Sequence, residues 1–164
     1  MTSKPILVGM NNPQGNQALV PYPVGCTGYR IWEMLAEKTG CFRIEYMNSF
    51  DRINLVQDRA WSAAAARANR DATMTILEGR TAVLLGRAVP AALGLPPTAW
   101  MAPNTFHYAT EPLVVTYYVL PHPSGLNRWY NDQENREGAA NLLAELYTSY
   151  RHSVGLPLTS RRAA

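Results

Sequence analysis

The chain predicts a three-layer α/β/α sandwich built on a central, mostly parallel four-stranded sheet. Three observations carry that expectation. Apolar or extended runs recur at residues 5–10, 42–47, 81–86 and 113–120. Segments with helical periodicity separate them, and strands that alternate with helices pair in parallel with helices on both faces. Two polar, proline-containing stretches follow the first and last runs directly. That is the position beyond the carboxyl ends of strands where such folds carry their sites.

Taken in order, PILVGM at 5–10 is a short apolar run that stops at polar Asn-Asn-Pro, as a buried strand entering a loop does. The following stretch, 11–28, is rich in Pro, Gly and Asn, and loops of that length in a compact domain are usually functional. Thr27 caps a helix to about Lys38, with Ile31, Met34 and Leu35 on one face and Gly40 as its stop. Residues 42–47 read as a second strand or an extended stretch. An alanine-rich helix is expected over 58–78, ending at Gly79. TAVLLG at 81–86 is the clearest strand, followed by a short helix at 87–93 and a Pro-rich loop at 95–104. LVVTYYVL at 113–120 is the last strand. A final helix over 136–152 places Leu142, Leu143, Leu146, Tyr147 and Tyr150 on one packing face, and the tail from Gly155 is expected to fray.

The 164 residues are one domain's worth, and 47% apolar with 16% charged is the balance of a folded chain. No apolar run reaches the roughly 18–20 residues needed to span a bilayer, and the first residues lack the pattern of a secretory signal, so an intracellular protein is expected. Cys26 and Cys41 have neither disulfide-framework nor metal-ligand spacing, so no metal and no cofactor are expected. The net charge of +3 fits a nucleic-acid partner without requiring one. Of the 15 basic residues only Lys4 and Lys38 are lysines.

The two loops beyond the strand ends carry the chemistry. VGMNNP at 8–13 and LPHPSGLNR at 120–128 together resemble the uracil-DNA glycosylase superfamily. That family places a Gly-x-(Asp/Asn)-Pro water-activating loop after its first strand and a (His/Asn)-Pro-Ser loop after its last. The resemblance covers nearly the whole chain and is closest to the mismatch-specific and single-strand-selective branches. Gly28-Tyr29-Arg30-Ile31-Trp32 resembles the Asn-Arg-Phe-Trp helix of the mismatch-specific enzymes, and Leu84-Leu85-Gly86-Arg87 their third-strand Leu-Gly-Lys segment. Pro123-Ser124-Gly125-Leu126 with Arg128 resembles their Pro-Ser-Gly-Leu-Ser-Arg.

What the resemblance implies is a monomeric, monofunctional DNA glycosylase. Such an enzyme flips a uracil or C5-modified pyrimidine out of DNA and hydrolyses its N-glycosidic bond. An extra asparagine separates Gly-Met-Asn from Pro, so Asn11 or Asn12 takes the water-positioning role, with Asn11 matching the distance from Gly9. An asparagine orients a water but is a poor general base, which predicts slow chemistry. His122 donates to the pyrimidine O2 as charge builds there. Gly9 and Met10 fall against the base. Tyr22, or alternatively Phe50, is the stacking face, and Asn54 either reads the Watson–Crick edge or caps a helix. Leu126 is the wedge that fills the gap left by the extruded nucleotide. Gly125 shares the intercalating loop tip with Leu126, Asn127 faces the orphaned partner base, and Ser124 and Arg128 meet a backbone phosphate. Trp129 and Tyr130 support this loop or stack on DNA. His107 and His152 lie outside both motifs.

A lyase would need an amine at the sugar; Lys4 precedes the first strand and Lys38 lies late in a helix, so only an abasic site is expected. The strict uracil branch blocks C5 with a tyrosine, where this chain has Gln14-Gly15. Two alternatives stay open: excision of bulky hypermodified cytosine from phage DNA as a defence, and a DNA-binding member with little catalysis.

Overall fold

The computed structural model describes residues 3–15, 17–107 and 114–158. Its sheet has five strands: β1 (Ile6–Gly9), β2 (Asp51–Asn54), β3 (Thr81–Leu85), β4 (Asn104–His107) and β5 (Val114–Leu120), in the order β2-β1-β3-β5-β4. The first four in that order pair in parallel and β4 joins β5 antiparallel. The helices are α1 (Thr27–Thr39), α2 (Arg43–Ser49), α3 (Ala63–Ala68), α4 (Arg70–Leu77), α5 (Ala88–Ala92) and α6 (Gln133–Ser153).

Strand alternation divides the core in two. Ile6, Val8, Ala82, Leu84, Tyr117 and Val119 point to one face, where Ala66, Met74, Leu77 and Val89 of α3, α4 and α5 cover them. Leu7, Val83 and Leu85 point to the other, against Ile31, Met34 and Leu35 of α1, Tyr46 of α2, and Leu142, Leu143 and Tyr147 of α6. A period of two on the strands, met on each side by a helical stripe, produces the three layers.

Several element boundaries differ from expectation. The sheet has five strands rather than four because Asn104–His107, within and just after the Pro-rich stretch, forms an antiparallel edge. Its one large apolar residue, Phe106, gives a weak strand signal, and pairing with β5 is what defines it. Residues 43–49 are helical, not extended: the Glu45 carboxylate accepts from the Phe42 N–H at 2.7 Å, and the second strand follows at 51–54. The expected helix over 58–78 starts later, at the Ser62 cap, and breaks at Asn69, whose side chain donates to the Leu55 carbonyl at 2.8 Å. Cys26 rather than Thr27 caps α1, its Sγ accepting from the Tyr29 N–H, while Gly40 ends the helix in the left-handed region as expected. The chain after α6 does not fray at Gly155: Arg151 donates to the Pro157 carbonyl and the Leu156 N–H to Arg151. Residues 159–164, and Leu113 at the start of the expected last strand, lie outside the described residues.

Chain order reverses around β1, with β2 on one side and β3 on the other. A crevice at the carboxyl end of the strands forms at such a switch point. The loops after β1, β2, β3 and β5 all open there.

Candidate active site

The loop after β1 is fixed by extension of the sheet. The Leu55 and Val56 N–H groups donate to the Gly9 and Met10 carbonyls at 2.9 Å each, carrying the β1–β2 pairing past the strand ends. The Asn12 N–H then donates to Asp58, and the Asn11 Nδ2 to the Arg59 carbonyl at 2.5 Å. Asn12, Pro13, Gln14 and Gly15 close a turn, with Gly15 N–H donating to the Asn12 carbonyl at 3.2 Å and Gly15 in the left-handed region. The two asparagines are therefore not equivalent. Asn12 is buried, whereas Asn11 is partly exposed, with its amide nitrogen tied to Arg59. This fixes the carboxamide, and Asn11 itself lines the crevice.

The loop after β5 is also rigidly built. The His122 carbonyl accepts from the Ser124 N–H at 2.8 Å and from Asn127 Nδ2 at 2.9 Å. Asn127 Oδ1 in turn accepts from the Trp129 N–H at 3.0 Å. Both halves of the Asn127 amide thus brace the loop, where the resemblance places this side chain toward a partner base. Trp129 packs edge-on against Tyr130 at 4.9 Å and beside Trp100, and the Tyr130 hydroxyl donates to Pro121 at 2.6 Å. These aromatics are support for the loop, one of the two roles expected of them. Leu126 at the tip is 93% exposed, and Arg128 is exposed beside it.

The two loops meet across one cavity of about 220 Å³, whose wall includes Met10, Asn11, Asn12, Asn54, His122, Ser124 and Gly125. Its size, below the roughly 300–1,000 Å³ of sites for drug-sized ligands, suits a single small heterocycle. Burial lowers the His122 pKa below its usual 6.5, so the imidazole is neutral at neutral pH. Asn54, at the end of β2, is 6% exposed, and its buried Oδ1 has no hydrogen-bond partner. It lies over the bare Cα of Gly9, where any side chain at 9 would collide with it. Asn54 caps no helix; an unpaired buried acceptor on a residue that lines a cavity is a group a ligand N–H could satisfy.

Neither stacking candidate forms a wall. Phe50 is 1% exposed, in the core against Tyr46 at 5.8 Å between ring centres. It follows α2, which the extended assignment of 42–47 displaced. Tyr22 is 45% exposed on the loop before α1 and is not among the cavity's lining residues. The apolar wall comes from Met10, Pro13, Leu19 and Val20. Leu19 sits in the left-handed region, held by the Tyr46 hydroxyl donating to its carbonyl at 2.9 Å. Sequence reasoning missed Leu19, Cys26 and Thr27 on this wall. Leu19 carries no local signal, since a distant tyrosine imposes its conformation.

Lys4 pairs with Asp51 at 3.9 Å, at the start of β2, and Lys38 with Glu137 at 2.7 Å on α6; neither lines the cavity. His107 and His152 are exposed, on β4 and at the end of α6. Among the described residues no group of three or more His, Cys, Asp or Glu could hold a metal ion. No helix is long and apolar enough to cross a membrane.

Fold and site together define an α/β protein with a heterocycle-sized cleft at the carboxyl edge of its parallel strands. Neither a protein-family model nor a curated protein sequence matches the chain.

Proposed function

We propose that the chain is a monofunctional DNA glycosylase of the uracil-DNA glycosylase type, acting inside the cell on a flipped uracil or C5-modified pyrimidine. The observation that carries this reading is the single cavity that Asn11 after β1, His122 after β5 and Asn54 at the end of β2 all line. The bond that breaks joins the sugar C1′ to the base N1. Its electron pair moves onto the base, where charge gathers at O2, and His122 donates a hydrogen bond to it. A water accepted by the Asn11 Oδ1 adds to C1′ and loses its proton to solvent, because an amide does not keep it. A pyrimidine N–H is the partner that Asn54 Oδ1 lacks. Leu126, exposed at the tip of the loop that carries His122, is the apolar wedge.

Pro13 and Gln14, not an aromatic ring, stand beside the asparagines, which favours room at C5 for thymine or larger modified pyrimidines. Labelled oligonucleotides carrying uracil, thymine, oxidised pyrimidines or hypermodified cytosine, heated in alkali after incubation, test the reading. Strand scission at one or more of these bases supports it, scission at uracil alone removes the C5 argument, and no scission removes the enzyme. A second reading, a member that grips a base without excising it, draws on the amide at position 11. It predicts binding without alkali-labile sites.

A further inference from the structure

Arg30 lies on α1, outside the cavity wall, yet it touches both lips of the mouth. Its Nε donates to the Gly25 carbonyl at 3.1 Å, and its Nη2 lies 3.0 Å from where a Cβ on Gly125 would stand. Gly25 and Gly125 both line the cavity. Among the described residues its Nη groups meet no acceptor. Each of these glycines adjoins an exposed apolar side chain: Val24, 73% exposed, and Leu126. One guanidinium therefore stands between two solvent-facing aliphatic tips.

We propose that Val24, Arg30 and Leu126 form a two-tipped edge that grips a DNA duplex at the extruded nucleotide, with the Arg30 Nη groups on the phosphate between the tips. The inference rests on DNA as the substrate of the proposed glycosylase, though not on cleavage. Apolar side chains left in water at the ends of short turns gain by entering a base stack that has lost a base. The two tips sit on loops that one guanidinium touches, so both are presented to the same stretch of a duplex. Arg30 supplies the opposite charge at the point where the backbone must cross, and its planar fork fits a phosphate through two donors. Gly25, in the left-handed region, has open space where a Cβ would stand, so the Val24 turn presents its side chain without obstruction.

The test is fluorescence anisotropy of the full chain on a duplex with a tetrahydrofuran abasic analogue, over a series of salt concentrations. Val24→Ser and Leu126→Ser are each expected to weaken binding about tenfold, the cost of leaving an aliphatic side chain's burial unmade, without changing the salt slope. Arg30→Gln is expected to lower that slope by about one, and Arg30→Lys to keep it. Val24→Ile, which keeps the tip, is expected to bind as the parent does, separating loss of the tip from loss of the fold. Parent-like binding by Val24→Ser, or a parent-like slope in Arg30→Gln, overturns the proposal. Alkali treatment of a duplex of the same sequence that carries uracil or thymine in place of the analogue, after incubation with the same proteins, reports separately on cleavage. Binding that depends on Val24 without abasic sites keeps this edge and removes the enzyme; abasic sites with Val24-independent binding do the reverse.

Discussion

Asn11 and His122 share one feature: each has a polar group committed to the protein, and in the proposed reaction another group serves the substrate. The Asn11 Nδ2 is held by the Arg59 carbonyl, and the backbone carbonyl of His122 by Ser124 and Asn127. Replacing Asn11 with Ala is expected to slow single-turnover excision by at least about a hundredfold, the scale of a lost positioned proton-transfer partner, while leaving the thermal melt near that of the parent. Unchanged excision would exclude Asn11 from the chemistry. His122 also makes stability depend on pH. Its folded pKa is lowered by burial, so the unfolded chain binds the proton more readily. The stability due to the neutral imidazole is present above about 6.5 and is lost as pH falls through the folded value. Urea midpoints at pH 7.5 and 5 should therefore fall more steeply in the parent than in His122→Gln. Equal falls would show that the imidazole is not desolvated.

At the scale of elements, the site depends on two glycines that leave room for their neighbours, backbone at one and side chains at the other. Gly28 opens α1 against the loop before it, and a side chain there would strike the Leu19 and Val20 carbonyls, which line or adjoin the cavity. Gly28→Ala should cost roughly 1–3 kcal/mol by urea denaturation, as overpacking against rigid backbone does; a variant as stable as the parent would mean that this contact yields. Gly86, in the left-handed region, makes room for His122 Cβ and Met10 Sδ in the same way. Much of this level is legible in the sequence. The runs at 5–10, 81–86 and 113–120 announce their strands, and Gly40 ends its helix. What the sequence hid lies where short segments take their conformation from distant partners. Residues 58–61 read as the start of the alanine-rich helix, although they lie ahead of its cap and the Asp58 and Arg59 carbonyls hold the Asn11-Asn12 loop. Residues 43–49 took a helix from a single carboxylate cap, and β4 exists through β5. The polar ends of the site, Asn11, His122 and Asn54, were readable from strand-end position and motif. The apolar wall was not, because Leu19 is shaped by Tyr46 far along the chain.

For the whole molecule, the switch point around β1 places four loops at one edge, and the cavity opens between them. The lysines are elsewhere, each in an ion pair. Borohydride reduction during turnover should accordingly trap no protein–DNA adduct on denaturing gels, because neither ammonium can reach the sugar to form a Schiff base. A trapped adduct would contradict monofunctional chemistry. Arg30 touches the mouth and Arg128 is exposed two residues beyond Leu126, so the proposed binding to DNA should weaken with salt.

The most direct measurement of the central claim is alkali-revealed strand scission on uracil- and thymine-bearing oligonucleotides by the parent protein, Asn11→Ala and His122→Ala, side by side. The account predicts abasic sites from the parent, with losses of about a hundredfold or more in each variant, as removal of a donor or water-positioning group from such a site gives. Abasic sites formed equally by all three proteins would contradict it, as would their absence with every base offered.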